Sequence, residues 1–305
     1  MKKTLSILVL VIFMSTGVFA QQIPRYSQYM FNMLNINPAY AGNRDVATVN
    51  MLIRRQWVNF PGAPFSGSAT YDKRISGSNS SIGGQIYSDR IGIEQTNGVQ
   101  GFYSFTAPFE NASLAIGTSL GMLNYSINYA RSNPFDVGDP NLQMSINGYL
   151  PTAGLGMLYS RERWYLGFSA PALLKTKINS NNQSVIRQAR ADGHFFLTGG
   201  YIMPISEMLT FKPSVLLKAV SGAPIQADLN ANIWYGDLLG AGVSYRHKES
   251  LVGMLELQLN PLLRIGYSYD HTTSRLTYYN NGTHELMLRM ELGGTIKAVT
   301  SPRYY

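Results

Sequence analysis

Residues 225–235 read Ile-Gln-Ala-Asp-Leu-Asn-Ala-Asn-Ile-Trp-Tyr. Ile225, Ala227, Leu229, Ala231, Ile233 and Tyr235 alternate with Gln226, Asp228, Asn230 and Asn232. Side chains at i and i+2 of an extended chain share a face, so this run has one greasy and one polar face. The rhythm spreads in both directions. Leu239, Ala241, Val243 and Tyr245 alternate with Gly240, Gly242, Ser244 and Arg246, and Leu263, Ile265, Tyr267 and Tyr269 alternate with Arg264, Gly266, Ser268 and Asp270. Far upstream, Ala47, Val49, Met51 and Ile53 oppose Thr48, Asn50, Arg54 and Gln56.

Alternation also occurs in soluble β-sandwiches, so connection lengths carry the decision. Strands placed near 46–58, 65–75, 81–89, 97–107, 112–124, 152–160, 163–170, 193–202, 208–219, 224–235, 238–247, 251–259, 261–270 and 283–294 leave every second connection short. Between these lie long connections at 125–151 and 171–192 and a moderate one at 271–282. Short turns on one rim and long loops on the other are the pattern of an all-β, transmembrane antiparallel β-barrel, here of about 14 strands. Both termini then face the periplasm and the long loops face outward. The 20 Tyr, 29 Gly and 14% charged residues fit that class. Many tyrosines fall at strand ends, where a phenol sits at headgroup level.

The N-terminus is consistent with export. Lys2 and Lys3 precede an apolar run from Leu5 to Met14 and a small-residue stretch ending at Ala20, which predicts a signal peptide over 1–20. Removing Lys2 and Lys3 lowers the formal charge of +8 by two, to +6. The remaining positives are scattered, which excludes a nucleic-acid arm. There is no cysteine, and a chain of 305 residues does not need one to hold a barrel.

The polar faces predict a charged lumen. Arg54, Asp228, Glu256, Arg264 and Arg289 point inward in this reading, with Lys212, Lys218, Arg246, Asp270, Glu285 and Glu291. Buried charges must pair or be hydrated. The lumen is then crossed by ion pairs, filled by a segment, or open. Catalysis finds no support. Asp270-His271 could be a strand-end dyad, but it lacks a matched nucleophile, and His284-Glu285 lacks the second His of a zinc site. The reading is no enzyme, no cofactor and no metal.

One stretch does not alternate. Gln28-Tyr-Met-Phe-Asn-Met-Leu-Asn-Ile-Asn-Pro-Ala-Tyr-Ala-Gly42 packs apolar residues among asparagines and then breaks at Pro38 and Gly42. It reads as ordered, non-strand, and docked against or into the barrel mouth on the periplasmic side. Its Tyr and Phe are expected to cover apolar wall, and its asparagines to meet inward charges.

This stretch, through Gln28, Tyr29, Phe31, Asn32, Asn37, Pro38, Tyr40 and Gly42, strongly resembles the start of the PorP/SprF family of type IX secretion outer-membrane proteins. Arg55-Gln56-Trp57-Val58, Asn260-Pro261, Arg264–Asp270, His284-Glu285-Leu286 and Ser301–Tyr305 are also similar to that family. Arg54 departs from it, since an Arg-Asn-Gln-Trp order is commoner there. The resemblance implies a non-enzymatic barrel serving secretion or, in gliding bacteria, surface attachment of large adhesins. Its implied partners are a secreted protein with a C-terminal sorting domain and other parts of the secretion machine.

The expected organisation is a signal peptide at 1–20, a periplasmic or plug-like segment at 21–45, a barrel at 46–294 and a tail at 295–305. The expected site is a partner surface in the outer membrane, among outer-membrane lipid. It includes the loop 125–151 and the loop 171–192, whose Lys175, Lys177, Arg187 and Arg190 could meet an acidic partner. The rival expectation is a diffusion porin or small-solute transporter.

Overall fold

A computed structural model of the protein describes residues 25–44, 46–129, 146–174, 193–220 and 223–293. The expected leader 1–20, the basic positions Lys175, Lys177, Arg187 and Arg190, and the expected tail 295–305 lie outside them.

The strands are β1 Ala47–Arg55, β2 Phe65–Arg74, β3 Ser80–Ile91, β4 Glu94–Pro108, β5 Ala112–Ile127, β6 Ile146–Arg161, β7 Trp164–Ala172 and β8 His194–Tyr201. They continue with β9 Met203–Pro204, β10 Leu209–Val220, β11 Gln226–Tyr235, β12 Leu239–Arg246, β13 Ser250–Asn260, β14 Leu263–Thr272 and β15 Thr283–Leu292. Each pairs antiparallel with the next in sequence, except that β8 and β9 both pair with β10, and β15 pairs with β1 from Ala47↔Leu292 to Arg55↔His284. The short β9 continues β8 along the same edge of β10, so the staves number 14 and the sheet closes on itself.

The polarity is inside out. Outward side chains are apolar, with Ile86 62% and Leu120 67% exposed, while inward Ser104 and Glu285 are fully covered. An apolar belt around polar inner faces suits a wall surrounded by lipid. Closure gives every stave a neighbour on both sides, which is how a sheet satisfies its backbone within lipid.

The rim where β1 begins and β15 ends carries short connections: 75–79, 109–111, 162–163, 205–208, 236–238 and 261–262. The opposite rim carries 56–64, 128–145, 173–193 and 273–282, together with the shorter 92–93, 221–225 and 247–249. Two loop readings need correction. Residues 90–96 are not a loop: β3 and β4 pair as far as Ile91↔Glu94, joined by Gly92-Ile93 with Gly92 at φ +58°. The loop read at 125–151 is shorter, because Tyr125–Ile127 of β5 pair with Ile146–Gly148 of β6. Beyond the lipid belt both faces of a hairpin meet water or packed loops. Backbone pairing then continues where the apolar alternation stops.

Candidate functional site: a filled lumen

Residues 25–44 run down the inside of the barrel. The local sequence explains their shape. Asn37 precedes a proline and is extended at φ −142°, ψ 111°, as sterics require. Its side-chain oxygen accepts from Ala39 N–H at 2.9 Å, capping a 3-10 turn over Pro38–Tyr40. Two more 3-10 turns cover Tyr29–Phe31 and Met33–Asn35. Gly42 adopts φ +61°, and a Cβ there would stand 2.2 Å from Ser81 Oγ.

The apolar side of this plug makes a core inside the barrel. Tyr29, Met30, Phe31, Met33, Ile36 and Tyr40 pack against inward Leu52, Leu158, Trp234, Val252, Met254 and Met287. Phe31 meets Trp234 edge-on with centroids 6.2 Å apart, and Tyr40 meets Tyr165 at 6.4 Å. Glycines between these wall residues make room. Gly117 and Gly156 admit the plug at Asn37–Ala39, and Gly266 admits Gln28.

Much of the polar contact is to the plug's backbone. Ser169 Oγ donates to Ile36 O at 2.7 Å and Ser104 Oγ to Ala41 O at 2.8 Å. Gly42 N–H donates to Asp72 at 2.8 Å, and Arg289 donates to Phe31 O. The asparagines meet neutral partners, not the inward charges. Asn32 bonds Thr70, Asn35 accepts from Gln85, and Asn37 Nδ2 donates to Met157 O at 3.1 Å. The charges are taken up by one another, by residues 25–28 and Arg44, and by the plug backbone at Phe31 and Gly42.

That charge cluster sits at the rim opposite the strand termini. Arg25 reaches Asp228 at 2.7 Å, Glu249 at 2.6 Å and Gln226 at 3.0 Å. Arg54 bridges Asp270 at 2.8 Å and Glu285 at 3.1 Å, and donates to Ser27 Oγ at 2.7 Å. Arg246 spans Asp228, Glu249 and Asp270 at 3.3–3.4 Å. The Glu285 carboxylate accepts the backbone N–H of Ser27 at 2.7 Å and of Gln28 at 2.8 Å.

A second cluster lies toward the other rim. Glu256 is 3.3 Å from Arg264 and 3.6 Å from Arg289, and Arg44 is 2.5 Å from Glu291. Lys212 and Arg264 each lie 4.8 Å from the Trp234 ring centroid.

Of the residues singled out from sequence, Gln28, Tyr29, Phe31, Asn32, Asn37, Pro38, Tyr40 and Gly42 come together in the lumen, with inward Arg54, Asp228, Glu256 and Arg289. Arg264 is half-buried near the terminal rim. Arg55, Gln56 and Trp57 lie elsewhere, at the loop rim. There Trp57 N–H donates to Thr283 Oγ1 at 3.1 Å, and Val58 exchanges backbone bonds with Asn281 and Gly282. Asp270 and His271 occupy opposite faces of β14, Asp270 buried against Arg54 and His271 exposed, so they form no dyad. Among the described residues, no group of three or more candidate metal ligands gathers.

Arg25, Ser27, Glu249 and the wall glycines were not singled out by sequence reasoning. A signal for a filled lumen did exist. Leu52, Trp234, Val252, Met254 and Met287 sit on the polar side of their strands, and apolar groups in a lumen need cover.

A closed 14-stave barrel with an apolar outer belt and its own N-terminal segment in the lumen is an outer-membrane protein of the plugged-barrel class. The chain belongs to the PorP/SprF family: the family described as "Type IX secretion system membrane protein PorP/SprF" matches residues 18–290. No curated protein matches the chain. Among solved structures, a FadL homologue of Pseudomonas aeruginosa is 14% identical, with 88% of this chain and 95% of that one covered and a TM-score of 0.48. Omp33 of Acinetobacter baumannii is 10% identical, with 82% and 100% covered and a TM-score of 0.45. The KdgM porin solved with oligogalacturonate is 7% identical, with 81% and 99% covered and a TM-score of 0.42.

Proposed function

We propose that this barrel acts by protein–protein contact, supporting export or surface attachment of a secreted partner, and is neither an enzyme nor a solute conduit. The observation that carries the reading is the occupied lumen, where residues 25–44 pack wall to wall and end in ion-pair clusters. A diffusion porin needs a continuous watery path along the barrel axis. The rim bearing both strand termini faces the periplasm, and the opposite rim faces outward. After removal of the leader near Ala20, contact is made by the outer connections 128–145 and 173–193. Lys175, Lys177, Arg187 and Arg190 offer positive charge to an acidic surface of the partner. The partner is a secreted protein or its C-terminal sorting domain, alongside other secretion components.

The test combines two measurements. Purified protein in planar bilayers is expected to give no large steady current, and a variant lacking 26–41 is expected to conduct. Co-purification from native outer membrane is expected to bring down a secreted protein that is lost when 175–192 is deleted. Large steady currents from the intact protein, with no protein partner recovered, would sink the reading in favour of a porin.

A further inference from the structure

The direction in which the plug runs has a topological consequence. Arg25 is held by Gln226, Asp228 and Glu249. Gln226 and Asp228 begin β11, and Glu249 lies in the turn between β12 and β13, so all three belong to the loop rim. At the other end Gly42 bonds Asp72, near the end of β2, and Arg44 bonds Glu291, near the end of β15. Intermediate contacts descend in order, with Tyr29 on Asn230, Asn32 on Thr70 and Ala41 on Ser104. The segment therefore crosses the whole barrel, entering at the loop rim and leaving at the terminal rim to begin β1.

We infer that the chain preceding Arg25 leaves through the outer mouth, so the mature N-terminus stands on the cell surface beside the outer loops. The alternative is a chain that turns back and descends through the same lumen. The packing tells against it: Tyr26, Ser27 and Gln28 are almost fully covered, and the gap beside Met30, Met33 and Asp72 is about 40 Å³. That gap holds a water or two, not a second extended strand. Electrostatics also favour the outward exit. Arg25, Arg54 and Arg246 face Asp228, Glu249, Asp270 and Glu285 at the mouth, which fixes residues 25–28 against slipping inward.

The inference rests on the sidedness proposed above, and one experiment separates the two. The protein has no cysteine, so single-cysteine variants can be read with a membrane-impermeant maleimide on intact cells. Ile23→Cys probes the chain before the plug. Tyr278→Cys, 86% exposed at the loop rim, and Ser76→Cys, in the 75–79 turn, report which rim faces outward. Positions 23 and 278 are expected to label on intact cells, and position 76 only after permeabilisation. Label at 278, with 23 reached only after permeabilisation, overturns the inference and leaves the sidedness standing. Label at 76 but not 278 overturns the sidedness itself. An epitope inserted before Arg25 covers the case of a shielded thiol. Antibody staining of whole cells supports the outward exit. A tag that blots from lysate yet never stains whole cells, while Tyr278→Cys labels normally, overturns it.

Discussion

Gly117 and Gly156 stand directly opposite each other on β5 and β6, and together they form the bed on which Asn37–Ala39 rest. A Cβ on Gly156 would fall 2.0 Å from Asn37 Oδ1, and one on Gly117 would fall 2.3 Å from Ala39 N and 2.4 Å from Pro38 C. The first clash is with a side chain that can turn. The second is with backbone, which cannot move without lifting the plug.

Gly117→Leu is therefore expected to do more damage than Gly156→Ala. Overpacking of this kind costs about 1–3 kcal/mol or more. The readouts are thermal unfolding of the detergent-solubilised barrel and bilayer conductance. Gly117→Leu should lower Tm and raise current, with β-structure retained by circular dichroism. Equal, small effects from both changes would mean that the plug does not bear on this wall.

Arg54→Ala should be among the most destabilising single changes in the lumen. It leaves Asp270 and Glu285 buried together, and breaking one partner out of a buried pair costs about 3–5 kcal/mol. Arg54→Ala combined with Glu285→Gln should recover part of that loss, because Asp270 keeps Arg246 whereas Glu285 is the charge left uncompensated. Urea unfolding of the two single variants and the double variant measures the coupling. Additive losses would contradict the pairing.

Phe31→Ala removes the ring that meets Trp234 edge-on. The expected loss is about 3–5 kcal/mol, the usual range for truncating a buried phenylalanine. Of the three tryptophans, Trp234 is the deeply buried one in the lumen, so emission should also shift to the red. An unchanged spectrum with lowered stability would place the damage elsewhere.

Asn37 both caps its own turn through Oδ1 and donates to the wall through Nδ2. Asn37→Asp keeps the cap and loses the donor, whereas Asn37→Ala loses both. The alanine change is expected to cost about 1–2 kcal/mol from the cap alone, plus the wall contact. The aspartate has its own penalty, since it brings an anion against the carbonyl oxygens of Met157 and Phe168. Asn37→Ser, which can cap but cannot reach the wall, should fall between wild type and alanine in thermal unfolding. Serine as damaging as alanine would show that the wall contact matters more than the cap.

The staves were legible because lipid imposes a strict period of two wherever it touches the wall, as along Leu229, Ala231 and Ile233. Where lipid ends, so does the pattern, which is why Ile91–Glu94 and Ile146–Gly148 read as loop although they are paired. The plug's apolar content was also visible from Tyr29, Phe31 and Met33. Its path was not. Adjacency to β1 placed 28–42 near the rim where β1 begins, and only partners some 200 residues away, Asp228 and Glu249 for Arg25, carry the segment to the far rim. No local period encodes such a pairing.

The seam between β1 and β15 gives the lumen a history as well as a shape. These two strands lie at opposite ends of the chain, yet Arg54 faces Glu285 across their ladder, and Glu285 also holds the backbone of Ser27 and Gln28. Contacts so distant in sequence form late, because their loop closure is costly. A closed ring with no free edge cannot readily be threaded afterwards. Residues 25–44 must therefore already lie in the curving sheet when first strand meets last. The final step of assembly is then the locking of a barrel around its own beginning, with Glu285 touching all three parts at once.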